Sequence, residues 1–232
     1  YYTLAVSIAM GILVFVSPIS TALLPRFTSL YSDNKISEAS ELFSKVNLIV
    51  SIFIFSFMAN MIFHSKELIW IWTGNMGLAQ MAGVFLPPLS LSFAMLALAA
   101  IPYDIAIANG YTRLNNILGI LSLVVTMPGY WIAIEHFGAL GAAYVYCIVQ
   151  STITIVYKYF INRKFINDSG YNLMIKNMAL PMFVALLIAF GCSKIPYILP
   201  HHRALNFLWI GMSTAITLVL TTSIFVPLRN LK

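Results

Sequence analysis

Apolar runs of membrane-spanning length, separated by short polar breaks, account for most of this chain. Residues 1–25 carry no charged side chain and are long enough for one span, with Pro18 predicting a kink inside it. A polar stretch follows, in which Ser32-Asp33-Asn34 has turn chemistry and the segment from Ser37 to Glu41 starts a helix with a carboxylate in its first turn. Further spans are predicted over about 46–63, 81–107, 114–134, 139–160, 177–192 and 204–228. Between the second and third, Trp70 and Trp72 fit an interfacial aromatic belt and Thr73-Gly74-Asn75 a turn. Pro87, Pro88 and Pro102 mark the third span as bent, and Gly110 ends it. The fourth is expected to break near Pro128-Gly129, and a tight connection at Glu135 to Gly138 leads into the fifth. Gly138, Gly141, Ala142 and Ala143 allow another helix to approach closely.

The composition agrees with that pattern. Of 232 residues, 60% are hydrophobic and 9% charged, against about 25% charged in a soluble domain. The expected fold class is an all-α integral membrane protein with about seven transmembrane helices. The net charge of +6 is spread over loops, which fits membrane topology better than nucleic-acid binding. Cys147 and Cys192 lie in apolar runs without a CxxC pattern.

Charge asymmetry orients the spans. The loops after spans one, three and five, with the C-terminus, collect Arg26, Lys35, Lys45, Arg113, Lys158, Arg163, Lys164, Lys176, Arg229 and Lys232. The opposite side has Lys66, Lys194 and Arg203. The positive-inside rule places the first set, and the C-terminus, in the cytoplasm, with Tyr1 outside. Opening on an apolar helix without an initiator Met, the sequence reads as the C-terminal part of a longer transporter-like chain.

Candidate chemistry concentrates in the stretch from Ile101 to Asn116, where Asp104, Asn109, Arg113, Asn115 and Asn116 sit inside or beside apolar sequence. Polar groups at that depth are costly unless they face protein or a water-filled cavity. Asp104 is the one carboxylate inside an apolar span. It is read either as an interfacial acid or as a cavity-facing group that binds a headgroup or carries a coupling proton. Arg26 is read as a positive-inside anchor or as a bidentate phosphate contact. Asp104 and Arg113 are nine residues apart across Gly110, a spacing that permits a pair without requiring one. His201-His202 has no further ligands around it, and His64 and His136 fit interfacial or capping roles. No catalytic arrangement is recognisable, and neither a metal nor a cofactor is called for. Tyr103, Tyr111, Tyr130 and Trp131 suit either an aromatic belt or sugar stacking.

Four segments, in order, resemble the Wzx-type polysaccharide (O-antigen unit) flippases of the multidrug/oligosaccharidyl-lipid/polysaccharide (MOP) exporter superfamily. They are LLPRFTSLYSDNKISEA after a helix opening with YYTLA, WTGNMGLA, PYDIAIANGYTRLNN and HFGALGAAYVY. Where the family often has Gln, this chain has Ala106. The resemblance implies that residues 1–162 form five helices of the C-terminal lobe of a MOP-type transporter. Residues 163–232 would add a basic cytoplasmic loop and two further spans, with the N-terminal lobe preceding Tyr1. It implies rocking-lobe alternating access in a bacterial cytoplasmic membrane, moving a polyprenyl-pyrophosphate-linked oligosaccharide for surface polysaccharide synthesis. The implied partners are that lipid-linked oligosaccharide, membrane lipids, the N-terminal lobe, a polysaccharide polymerase and a chain-length regulator. Arg26, Asp104, Asn109 and Arg113 are the candidate substrate-binding residues. The alternatives are a cation-coupled multidrug exporter of the same superfamily, which would favour acidic cavity groups, and a membrane-embedded polymerase or acyltransferase.

Overall fold

The computed structural model describes residues 1–166, 170–195 and 202–225. Expectations for Pro196, Pro200, His201, Arg229, Lys232 and the end of the seventh span lie outside the described residues. Within them the chain is all-α, as expected. The first two helices, α1 (Tyr2–Ser32) and α2 (Ile36–Phe63), are joined by a tight turn. Asn34 there adopts φ 56°, and Lys35 N–H closes the turn by donating to the Leu30 carbonyl at 2.9 Å. Two short helices follow, α3 (Ser65–Thr73) and α4 (Met76–Gly83). Between them Gly74, at φ 71°, ends α3 and the Asn75 side chain caps α4 by accepting from Leu78 N–H at 3.1 Å. Arg203 binds over the end of α3, its Nε donating to the Ile71 carbonyl at 3.2 Å, where a cation complements the helix dipole.

The third span differs in detail from the expectation. It begins at α5 (Leu86–Leu98), so Pro87 lies in the helix's first turn, where its missing N–H costs nothing. The break comes at Ala99, before α6 (Ala100–Ala108). Pro102, in the first turn of α6, has no N–H to donate back towards α5. Gly110, at φ 64°, ends α6 as anticipated, with Tyr111 N–H donating to the Ala106 carbonyl at 2.7 Å.

Next comes α7 (Arg113–Phe165), 53 residues of nominally unbroken helix. Straight, it would measure about 80 Å, far more than the roughly 30 Å of a bilayer core. Gly138, at φ 62° and ψ −155°, reverses its direction. The two limbs then lie against each other, Gly129 opposite Val145 and Gly141 opposite Ala133. The fourth span therefore runs through Pro128 as helix and breaks at Gly138 instead of Pro128-Gly129. Among the described residues six helices are long and apolar enough to cross a membrane; with α7 doubled back, they provide seven crossing segments. α1 likewise runs through Pro18 and Pro25, which puts Arg26 on a helix and not in a loop.

The sixth crossing starts earlier than the expected residue 177. It is built from α8 (Gly170–Met174), a π-helical turn at Ile175–Ala179 and α9 (Leu180–Ser193). The last is α10 (Arg203–Phe225). Helix α2 lies at the centre, packing on α1 and α5 on one side and on α9 and α10 on the other. Between α2 and α10, the Ser213 hydroxyl donates to Asn60 Oδ1 at 2.6 Å, and Asn60 Nδ2 donates to Thr217 Oγ1 at 3.2 Å. Such side-chain bonds join helices in lipid, where the hydrophobic effect does not.

Topology gathers Arg26, Lys35, Lys45, Arg113, Arg163, Lys164 and Lys176 at one end, here called the basic end. There the tips of α1, α6 and α7 meet. The Tyr31 hydroxyl donates to the Phe165 carbonyl at 3.3 Å, and Lys164 Nζ stands 3.4 Å from the centre of the Tyr111 ring. Lys158, expected in this basic loop, is instead fully buried inside the second limb of α7.

Candidate functional site

Polar side chains inside the crossing helices recur at helical spacing, and the packing turns them towards one another. Ser17 and Ser20 share a face of α1; Asn115 and Ser122 share a face of the first limb of α7; Gln150, Thr154 and Tyr157 share one of the second limb. Together with Leu96, Ala97, Ala99, Ala100 and Tyr103 from the α5–α6 break, they line a cleft of about 640 Å³. Leu13, Val16, Leu118, Gly119 and Ile153 complete the lining, so none of its side chains carries a formal charge. The first limb of α7 is largely exposed and contributes only part of one wall.

The break at Ala99 helps to shape this cleft. Ending α5 there frees backbone groups that a continuous helix would bond, and such irregular backbone is tolerated at membrane depth beside a cavity or packed protein. Just before the break, Thr154 Oγ1 of α7 donates to the Met95 carbonyl in the last turn of α5 at 3.1 Å, and Gln150 Nε2 donates to Thr154 Oγ1 at 3.2 Å. The first of these bonds holds the α7 wall of the cleft to α5, and the second steadies Thr154 from its own helix. Tyr157 brings its phenol to the same wall; its hydroxyl is buried without a hydrogen-bond partner among the described residues.

The four residues singled out from the sequence have different places. Asp104 is buried, and the Ser20 hydroxyl meets its carboxylate, 2.8 Å from Oδ1 and 2.7 Å from Oδ2. Ser20 lines the cleft and Asp104 does not, so the carboxylate stands behind the wall and is joined to it through one hydroxyl. Asn109 caps its own helix, its Nδ2 donating to the Ile105 carbonyl at 2.8 Å. Arg26 and Arg113 are both exposed at the basic end, Arg113 two residues before the cleft residue Asn115. No Asp104–Arg113 ion pair forms among the described residues, where the ion pairs are Lys35–Asp33 and Lys45–Glu41. Of the aromatics, Tyr103 lines the cleft, while Trp131 is exposed on the outer face.

Reasoning from charged residues overlooked most of this site. The signal was present as polar stripes at i, i+3 and i+4 within apolar helices, of which Gln150-Thr154-Tyr157 is the clearest. The arrangement offers hydroxyl, amide and phenol groups to a polar but uncharged guest, with guanidinium groups beyond. Among the described residues no cluster of His, Cys, Asp or Glu is suited to hold a metal. No protein-family model, curated protein or solved structure matches the chain.

Proposed function

We propose that this protein takes part in flipping a polyprenyl-pyrophosphate-linked oligosaccharide across a bacterial cytoplasmic membrane. One observation carries the reading: the cleft between α1, the α5–α6 break and both limbs of α7 sets hydroxyl, amide and phenol side chains among apolar ones and carries no charge. Sugar rings offer hydroxyl groups and apolar faces, and such a lining can bond the first and stack on the second. The motif resemblance names the same substrate class. In this reading the glycan occupies the cleft while Arg26 and Arg113, with their bidentate forks, attract the pyrophosphate at the cytoplasmic mouth. Arg26 lies six residues beyond Ser20 along α1, about 9 Å of rise. The uncharged lining also weighs against the drug-exporter alternative, since a cationic cargo favours carboxylates in direct contact, and Asp104 is screened by Ser20.

The test uses Gly119, which lines the cleft and has nothing within 4 Å of the position a Cβ would take. Gly119→Phe should fill the cleft without disturbing packing. In a deletion strain of the source organism, wild-type protein should restore surface polysaccharide. Gly119→Phe at equal abundance should not, and lipid-linked oligosaccharide should accumulate in the inner leaflet. A deletion strain with undiminished surface polysaccharide would refute the function, and full rescue by Gly119→Phe would refute the cleft as the path.

A further inference from the structure

Between α2 and the second limb of α7, one turn beyond the cleft residue Thr154 but outside the cleft lining, lies a second group of polar residues. Lys158 is fully buried, and its Nζ donates to Asn47 Oδ1 at 2.8 Å. An ammonium carries three N–H donors, and no carboxylate lies within ion-pair distance of it among the described residues. One turn further, on the same face of the helix, Asn162 is also fully buried, and neither its Nδ2 nor its Oδ1 has a hydrogen-bond partner among the described residues. The groups left over are two N–H of the ammonium and two of the Asn162 amide against one amide oxygen, inside a membrane-spanning bundle where an unmatched charge costs several kcal/mol. Next to this group Asn177, carried on the π-helical turn, donates to the Ser44 carbonyl at 3.3 Å. Single π turns occur often at functional sites and supply a locally adjustable backbone.

We propose that Lys158, Asn47 and Asn162 form a binding site for a small inorganic anion, of chloride size, at membrane depth. The ammonium supplies the charge, and the Asn162 amide supplies a second donor. Asn47 fixes the lysine from the facing helix. The excess of donors rules for an anion over a cation, and full burial rules for a small ion over a phosphorylated or carboxylated molecule. Because its residues come from both sides of the α2–α7 interface, an anion bound there would hold that interface closed. This site does not depend on the flippase reading.

Chloride alone is the probe. Thermal unfolding of the purified full-length protein in detergent, followed by tryptophan fluorescence, is compared in sodium chloride and sodium gluconate at equal ionic strength. Wild type should unfold on the order of 5 °C higher in chloride at a hundred times its dissociation constant. Lys158→Met, which keeps the length of the side chain and removes the buried charge, should fold in gluconate and lose the chloride response. Asn162→Leu, which retains the ammonium, should need about tenfold more chloride for half the shift. Equal unfolding of wild type in the two salts means that Lys158 is hydrated or packed only, and overturns the site. So does a chloride response that Lys158→Met or Asn162→Leu leaves intact.

Discussion

The reversal at Gly138 turns one 53-residue helix into two crossings, and it rests on two glycines for different reasons. Gly138 has open space around it but adopts φ 62° and ψ −155°, a region essentially confined to glycine. Gly138→Ala should cost about 1–3 kcal/mol in backbone strain. Gly141 has ordinary helical backbone, but a Cβ there would press into the Ala133 carbonyl, 2.8 Å from its carbon and closer still to its oxygen. Because that obstacle is backbone, it cannot rotate away, so Gly141→Ala must push the two limbs apart. Overpacking of this kind costs about 1–3 kcal/mol. Gly11, with nothing within 4 Å, is the control; Gly11→Ala should be neutral or stabilise by about 0.5–1 kcal/mol through helix propensity. The assay is equilibrium unfolding in mixed detergent micelles of rising sodium dodecyl sulfate content. If Gly141→Ala unfolds within about 0.5 kcal/mol of wild type, which is the ordinary scatter of an innocuous substitution, the close approach of the limbs is wrong. Should Gly138→Ala alone be neutral, the left-handed reversal is wrong and the limbs are joined in another way.

Asn60→Leu removes the bonds from Ser213 and to Thr217 and should weaken the docking of α10 on α2 by about 1 kcal/mol, measured in the same unfolding assay. Ser20→Ala leaves the Asp104 carboxylate without its hydroxyl partner and should cost about 1–3 kcal/mol; Asp104→Asn combined with Ser20→Ala should recover part of that loss, and additive losses would refute the coupling. His64 sits just beyond α2, buried, and burial lowers its imidazole below the ordinary 6.5 while Glu67 pulls the other way. The unfolded chain then binds more protons than the folded one, so stability should rise with pH up to about 6.5 and level off above it. His64→Gln should flatten that slope in a pH series of unfolding midpoints; a slope unchanged in the variant would assign it elsewhere.

Much of this architecture is written in local chemistry. Apolar runs of spanning length leave the backbone no hydrogen-bond partner but itself, so helices at 1–25, 46–63 and 139–160 follow from composition alone. Turns at Asn34, Gly74 and Gly110 follow from residues that tolerate positive φ. Pro18, Pro25 and Pro128 all lie within continuous helix, since a proline deletes one bond and a packed helix survives that loss.

What the tertiary structure decided was the partner of each polar group. Lys158 reads in sequence as one more base near a positive loop, and only the docking of α2 against α7 shows it buried against Asn47. Asn109 stands at the end of α6, with its Nδ2 turned back on the Ile105 carbonyl of its own helix. Ser20 attracts no notice in an apolar run, yet it stands between the cleft and Asp104. The physical reason is the same in each case. A membrane-spanning sequence determines that a segment is helical, because that depends on its own backbone. Which face of it meets lipid, cleft or neighbour depends on packing against helices distant in sequence.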